Sequence, residues 1–176
     1  MTVEINAATG VSAVQPGSVQ SGDLAEGAIG SGDLPAGSVI QVVQEISNTE
    51  TRTAGAAGNV DVGPTVTITP TSSSSKIYVI HSAGGYSQNP DDITLGIKRN
   101  GSIVHAMGRY GYHNQTGFES SPFSLHYLDS PNSTSSITYT PFIGQKNNGG
   151  DLEHNAAPST GVSGQNAITI AMEIAG

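Results

Sequence analysis

The hydrophobic and polar positions of this chain fall into two textures that meet near residue 38. Beyond it, apolar residues sit in short runs, several alternating with polar ones, between Gly, Pro, Ser and Asn punctuation. That is the two-residue period of strands, and no helical period persists over ten residues. Val39-Ile40-Gln41-Val42-Val43-Gln44-Glu45-Ile46 is mostly apolar, and Thr65-Val66-Thr67-Ile68-Thr69 alternates until Pro70. Lys76-Ile77-Tyr78-Val79-Ile80-His81 follows a Ser run that reads as a loop. Ile93–Lys98 and Ser102–Met107 flank Arg99-Asn100-Gly101, and Asn and Gly both tolerate positive φ, so a hairpin is predicted there. Further strands are expected at Phe123–Leu128 and Ile137–Phe142. In the last run, Ile168, Ile170, Met172 and Ile174 share one face while Thr169, Ala171 and Glu173 share the other, which predicts a sheet with its apolar side buried. Seven to nine short strands separated by turns predict an all-β fold, a β-sandwich of jelly-roll type.

Before residue 38 the pattern is a ten-residue repeat. Gly17-Ser18-Val19-Gln20-Ser21-Gly22-Asp23-Leu24-Ala25-Glu26 is followed by Gly27-Ala28-Ile29-Gly30-Ser31-Gly32-Asp33-Leu34-Pro35-Ala36, and a third copy opens with Gly37-Ser38-Val39. Each full unit offers two large apolar side chains, Val19 and Leu24 or Ile29 and Leu34, too few to offset the entropy of ordering ten residues. Such a unit must stack on neighbours, and two copies and a fragment are too few for a free-standing solenoid. Other copies of the same chain are therefore the expected partner, with Val19, Leu24, Ile29, Leu34 and Val39 as the stalk contacts between them. The expected organisation is an N-terminal docking arm over 1–15, a repeat stalk over 16–37 and a sandwich knob over 38–176.

Composition narrows the function classes. Charged residues are 11% of the chain, against about 25% in an average globular domain, which suits turn-rich β structure and argues against both helical bundles and disorder. The net charge is −8, and the nearest approach to a basic cluster is Lys98-Arg99 beside the predicted hairpin turn. Phosphate backbones select clustered cations, so nucleic acid is not an expected partner, and an anionic surface is repelled by anionic lipid. With 0 cysteines there are no disulfides, catalytic thiols or Cys-based zinc sites. No run approaches 18 apolar residues and the first residues lack a basic region with a long apolar core, so neither membrane insertion nor a classical secretion signal is expected.

Candidate chemistry is sparse. The five histidines, His81, His105, His113, His126 and His154, are never closer than eight residues, unlike metal-binding pairs on one strand or helix. No metal and no cofactor is expected. No Gly-x-Ser-x-Gly elbow singles out a nucleophilic serine. Glycosidase-like carboxylate pairs could be drawn from Asp91, Asp92, Glu119 and Asp129, although Asp91-Asp92 after Pro90 also reads as a turn. Asp23 and Asp33 recur in the repeat, but one acid per ten residues suits a turn cap better than calcium. Arg109, Tyr110, Tyr112, His113 and Asn114 form an aromatic, polar stretch suited to contacting a sugar or protein, or alternatively a plain edge strand.

The order of segments resembles bacteriophage tail-fibre and related virion fibre proteins, especially of tailed phages infecting marine and freshwater bacteria. The likeness is carried by the Gly-Ser-Val-x-Ser-x-Asp-Leu repeats, the junction Leu34-Pro35-Ala36-Gly37-Ser38-Val39-Ile40-Gln41-Val42-Val43, Val66-Thr67-Ile68-Thr69-Pro70, Tyr127-Leu128-Asp129-Ser130-Pro131 and the ending Ile168–Gly176. It implies a homotrimer assembled in the host cytoplasm into a virion. The N-terminal arm would bind other virion proteins, and the knob would face a host-surface glycan or protein. It assigns no catalytic residue, so the expectation is a non-enzymatic fibre. A capsid decoration or head fibre shares the architecture, and a polysaccharide depolymerase or a free lectin are the rivals from other classes.

Overall fold

Strands form over the alternating runs and break at their Gly, Pro and Asn punctuation. The computed structural model describes residues 30–49, 51–53, 58–88, 93–107, 118–145, 152–155 and 166–176. The chain divides into two compact units, Met1–Leu34 and Pro35–Gly176. In the first, Ser31–Asp33 make one 3-10 turn. The Asp33 carboxylate accepts the Gly30 amide at 2.8 Å while the Asp33 amide donates to the Gly30 carbonyl at 3.1 Å. This is the turn-capping role expected for the repeat's acid; Asp23 lies outside the described residues.

The second unit is all-β among its described residues. Its strands are β1 (Val39–Ser47), β2 (Thr51–Thr53), β3 (Gly58–Asp61), β4 (Val66–Ile68), β5 (Lys76–Gln88), β6 (Ile93–Arg99), β7 (Ser102–Met107), β8 (Phe118–Asp129), β9 (Ile137–Gln145), β10 (Leu152–His154) and β11 (Ala167–Ile174). Every pairing is antiparallel. The predicted hairpin is β6–β7, with Asn100 at φ 49° and Gly101 at φ 83°, the left-handed region such a turn demands.

Several strands are halves of one interrupted row. β10 and β11 lie end to end on one edge of β5, β8 covers the other edge, and β2 and β1 pair in turn with β10 and β11. Likewise β3 and β4 share one edge of β9, with β6 on the other and β7 beyond it. Counting each interrupted row once, the first sheet runs 1-8-3-6 and the second 2-7-4-5. That is the jelly-roll order, in which successive rows cross between two packed sheets. Asn155 pins both interruptions: its amide donates to the Gly84 carbonyl, and its side chain donates to the carbonyls of Ser47 and Thr49.

The main core lies between the sheets, with Ile77, Val79, Leu125 and Ala171 from the first meeting Val66, Ile68, Ile97, Ile137 and Tyr139 from the second. β11 reverses the expected orientation. Ala167, Thr169, Ala171 and Glu173 are buried against the core, whereas Ile168, Ile170, Met172 and Ile174 face outward and are half-buried. Ala171 joins the core cluster that holds Tyr139, while Thr169 and Glu173 turn inward to hydrogen-bond loop backbone.

Candidate functional site

Two carboxylates are buried among the described residues, and both are occupied in holding the fold. Asp129, ending β8, accepts both contacts of a fork from Arg99 Nη1 at 3.0 and 2.8 Å and a 2.7 Å bond from the Tyr139 hydroxyl. Arg99 and Tyr139 belong to the opposite sheet, so this network ties the two layers. Burial first, and the Asp129 hydrogen bond second, push the Tyr139 phenol well above its ordinary value. Glu173 accepts from Gln41 Nε2 at 2.6 Å and from the Thr71 amide and hydroxyl at 2.7 and 2.9 Å. Burial pushes its carboxyl up, but the donors from Gln41 and Thr71 outweigh that and hold it below the usual range. Neither acid faces open space, which removes Asp129 from the glycosidase pairs considered above. Asp91 and Asp92 lie outside the described residues, as does the side chain of Glu119. The basic pair is equally occupied: Arg99 by Asp129, and Lys98 by an ion pair with Asp61.

Sequence separation hid a second buried cluster. His81 Nε2 and His154 Nε2 lie 3.0 Å apart, and His81 Nδ1 lies 2.9 Å from the Thr169 hydroxyl, which donates to the Pro64 carbonyl at 2.6 Å. The network assigns the tautomers. Thr169 spends its proton on Pro64, so His81 Nδ1–H donates to Thr169, its Nε2 is bare, and His154 Nε2–H donates to it. Both rings are therefore neutral. Burial, joined for His81 by repulsion from His154, lowers their pKa values to about 3 for His81 and about 4 for His154. Two nitrogens sharing one proton do not make a pair of metal ligands, and no group of three or more His, Cys, Asp or Glu gathers among the described residues.

The exposed surface of the first sheet is the most distinctive feature. Its outward rows read Val42–Met172–Tyr78–Leu128, Gln44–Ile170–Ile80–His126 and Ile46–Ile168–Ser82–Ser124 across β1, β11, β5 and β8. Val42 is 56% exposed, and Ile46 and Leu128 are each 51% exposed. The polar members bond to one another: Tyr78 Oη lies 2.8 Å from His126 Nδ1, Ser124 Oγ 3.0 Å from His126 Nε2, and Ser82 Oγ 2.9 Å from Ser124 Oγ. Ser124 and His126 are within the reach of a nucleophile–base pair. The group orienting His126 is the Tyr78 phenol rather than a carboxylate.

Of the residues singled out in the sequence, Arg109, Tyr110, Tyr112, His113 and Asn114 lie outside the described residues, as do Val19, Leu24 and Ile29. Leu34 and Val39 are described, and both are exposed. Val39 opens β1 at the end of the apolar outer face, opposite Ile174. The repeating signal for that face was present in the alternation of β11, but alternation separates two faces without telling which one meets the core.

No protein-family model and no characterised protein sequence matches the chain. Among solved structures it is similar to dimeric latent PorU from Porphyromonas gingivalis, at 10% identity and TM-score 0.38 over 80% of this chain and 14% of that one. It is also similar to the VP2 subviral particle protein of infectious bursal disease virus, at 11% identity and TM-score 0.36 over 77% of this chain and 33% of that one. The enzymatically active domain of tailspike protein 4 of bacteriophage CBA120 follows, at 14% identity and TM-score 0.31 over 75% and 19% of the two chains. The chain thus spans a third or less of each of these. TM-scores below 0.5 carry no argument, and the jelly-roll assignment stands on the strand order itself.

Proposed function

We propose that the chain is a non-enzymatic structural component of a bacteriophage virion. It forms a short homotrimeric fibre whose N-terminal arm docks on other virion proteins and whose jelly roll is presented to the host surface. The observation that carries this reading is the junction between repeat and knob. The third repeat copy starts at Gly37 and runs into β1, where the Gly37 amide donates to the Ala175 carbonyl at 2.7 Å and the Ala175 amide donates to the Ser38 carbonyl at 2.8 Å. A repeat that needs copies of itself thus feeds into an edge strand of the jelly roll. The segment order resembling virion fibres adds to this, and the structural employment of Asp129 and Glu173 fits a binding protein better than a hydrolase. Jelly rolls serve capsid proteins and lectins alike, so the fold by itself favours neither.

Labelled antibodies against the chain, imaged on intact particles, test the reading. Decoration of the particle at a fixed tail, collar or head position is expected. Absence of the protein from purified particles overturns it. Removal of residues 1–37 is expected to abolish incorporation, and normal incorporation of that truncated chain would refute the docking role.

A further inference from the structure

We infer that the outer face of the first sheet is where copies of this chain meet, with a second copy seated on the row that begins at Val42. The inference deepens the fibre reading and rests on its self-association, but not on the virion. Three observations select this occupant. The chain carries a net charge of −8, yet the outward positions of β1, β11, β5 and β8 listed across the three rows above hold no Asp or Glu. Identical anionic chains repel least where their carboxylates are missing, so these rows of three copies can meet about one axis without charge repulsion. Apart from Gln44, the polar side chains on the face satisfy one another, from Tyr78 through His126 and Ser124 to Ser82, so covering them strands only the Gln44 amide, which a second copy would have to bond. Finally, the repeat that requires other copies joins the knob at Gly37–Val39, at the end of this same face.

Size is consistent with a shared task. Four strands about 4.8 Å apart and about five residues of about 3.3 Å each give a face of roughly 320 Å² in projection. That matches the largest apolar patches of ordinary monomers, about 300–600 Å², and falls short of the roughly 800 Å² per partner of a standard interface. The face and the repeat together therefore supply what neither supplies alone. A membrane is the other surface an apolar face could meet, and the anionic chain disfavours anionic lipid.

The test uses the full chain. Light scattering of the wild type is expected to give three times the 17.9 kDa chain mass. Val42→Glu with Leu128→Glu, two exposed positions at opposite ends of one row, is expected to reduce that mass threefold with unchanged far-ultraviolet circular dichroism. Thr67→Glu, an equal charge per site on the outer face of the second sheet, is expected to leave it unchanged. Because the chain has 0 cysteines, a single nitroxide at Gln44→Cys adds a readout that does not depend on the charged variants folding. Its spectrum is expected to be immobilised in the assembly, and that of Thr67→Cys mobile. A multimeric wild type whose mass survives both glutamates, or a mobile label at Gln44→Cys, overturns the face while leaving the fibre reading standing. A monomeric wild type overturns both the face and the trimer. Sedimentation of the chain with neutral phosphatidylcholine vesicles, lost in the Val42→Glu, Leu128→Glu variant, would assign the face to lipid and overturn it too.

Discussion

The two sheets of the jelly roll treat their outer faces differently. On the second sheet most outward side chains near the β9 row cover one another. Thr67 and Thr138 hydroxyls lie 3.1 Å apart, Thr65 donates to Thr140, and Phe142 is buried, while Ile103 on the edge strand β7, opposite Lys98, is left exposed. Phe142 lies in the notch left by Gly96, with the Lys98 ammonium 5.6 Å over its ring and Asp61 paired to that ammonium. On the first sheet Val42, Ile46 and Leu128 stand exposed among the described residues. Both sheets obey the same alternation and share one core, so the difference is not one of folding. The face whose side chains bond one another has less to gain from a partner, and the apolar, uncharged rows of the first sheet are the ones proposed to meet another copy.

This comparison holds only while the sheets stay joined, and the joint is where the largest effect lies. Asp129→Ala removes the acceptor for Arg99 and Tyr139, leaving the buried Tyr139 hydroxyl and a partly buried cation unpaired, a loss of about 3 kcal/mol in unfolding free energy. Urea unfolding of the variant checks it; a change no larger than that of an exposed alanine substitution would show that the network does not tie the layers. Tyr139→Phe, which removes one donor and keeps the ring, should cost about 1 kcal/mol.

Acid attacks a different network, the buried histidine pair of the first sheet. A histidine whose folded pKa lies below its unfolded value near 6.5 is without penalty above that pH and destabilises the fold as pH falls toward the folded value. For His81 and His154, with folded values of about 3 and about 4, the window is therefore pH 6.5 down to about 3. Two groups over 1.5 pH units correspond to roughly 3–4 kcal/mol lost between pH 6.5 and 5. Glu173 acts in a lower window: its folded pKa is depressed, so its contribution is intact above about pH 4.5 and is lost only below it. Thermal unfolding at pH 7 and pH 5 separates the two. Equal stability at both would mean that the histidine pair is not held neutral.

How much of this was legible in the sequence depends on distance along the chain. Asn100 and Gly101 set the β6–β7 hairpin locally, and the structure has the turn where the pattern put it. The strand-rich class was legible for the same reason. The inward and outward faces of β11 were not, because Ala171 shares a core cluster with Tyr139 and Glu173 meets Thr71, and such partners 32 and 102 residues away leave no mark on local alternation. Neither was the pairing of His81 with His154, 73 residues apart. Among candidate site residues, the sequence marked Asp129 as a possible catalyst because it saw an acid and could not see Arg99 folded against it.

Smaller changes probe the outer face of the second sheet itself. Gly96→Val would drive a side chain into the Phe142 ring and the His105 carbonyl, lifting Phe142 out of its notch at a cost of about 2–3 kcal/mol. Calorimetry measures the loss, and an unchanged melting temperature would mean that the notch is not what buries Phe142. The smallest effect is the most discriminating. Thr67→Val with Thr138→Val replaces both partners of an exposed hydroxyl pair by groups of the same shape, which leaves no donor unpaired and should alter stability by less than about 0.5 kcal/mol. It also gives the second sheet an apolar pair on its outer face at the β4 edge, near Thr140 and the Lys98–Asp61 bridge. If apolarity alone made an interface, the native mass would rise above that of the wild type. It should not change, because a second copy approaching there still meets Asp61, and each chain would bring the same carboxylate to the same place.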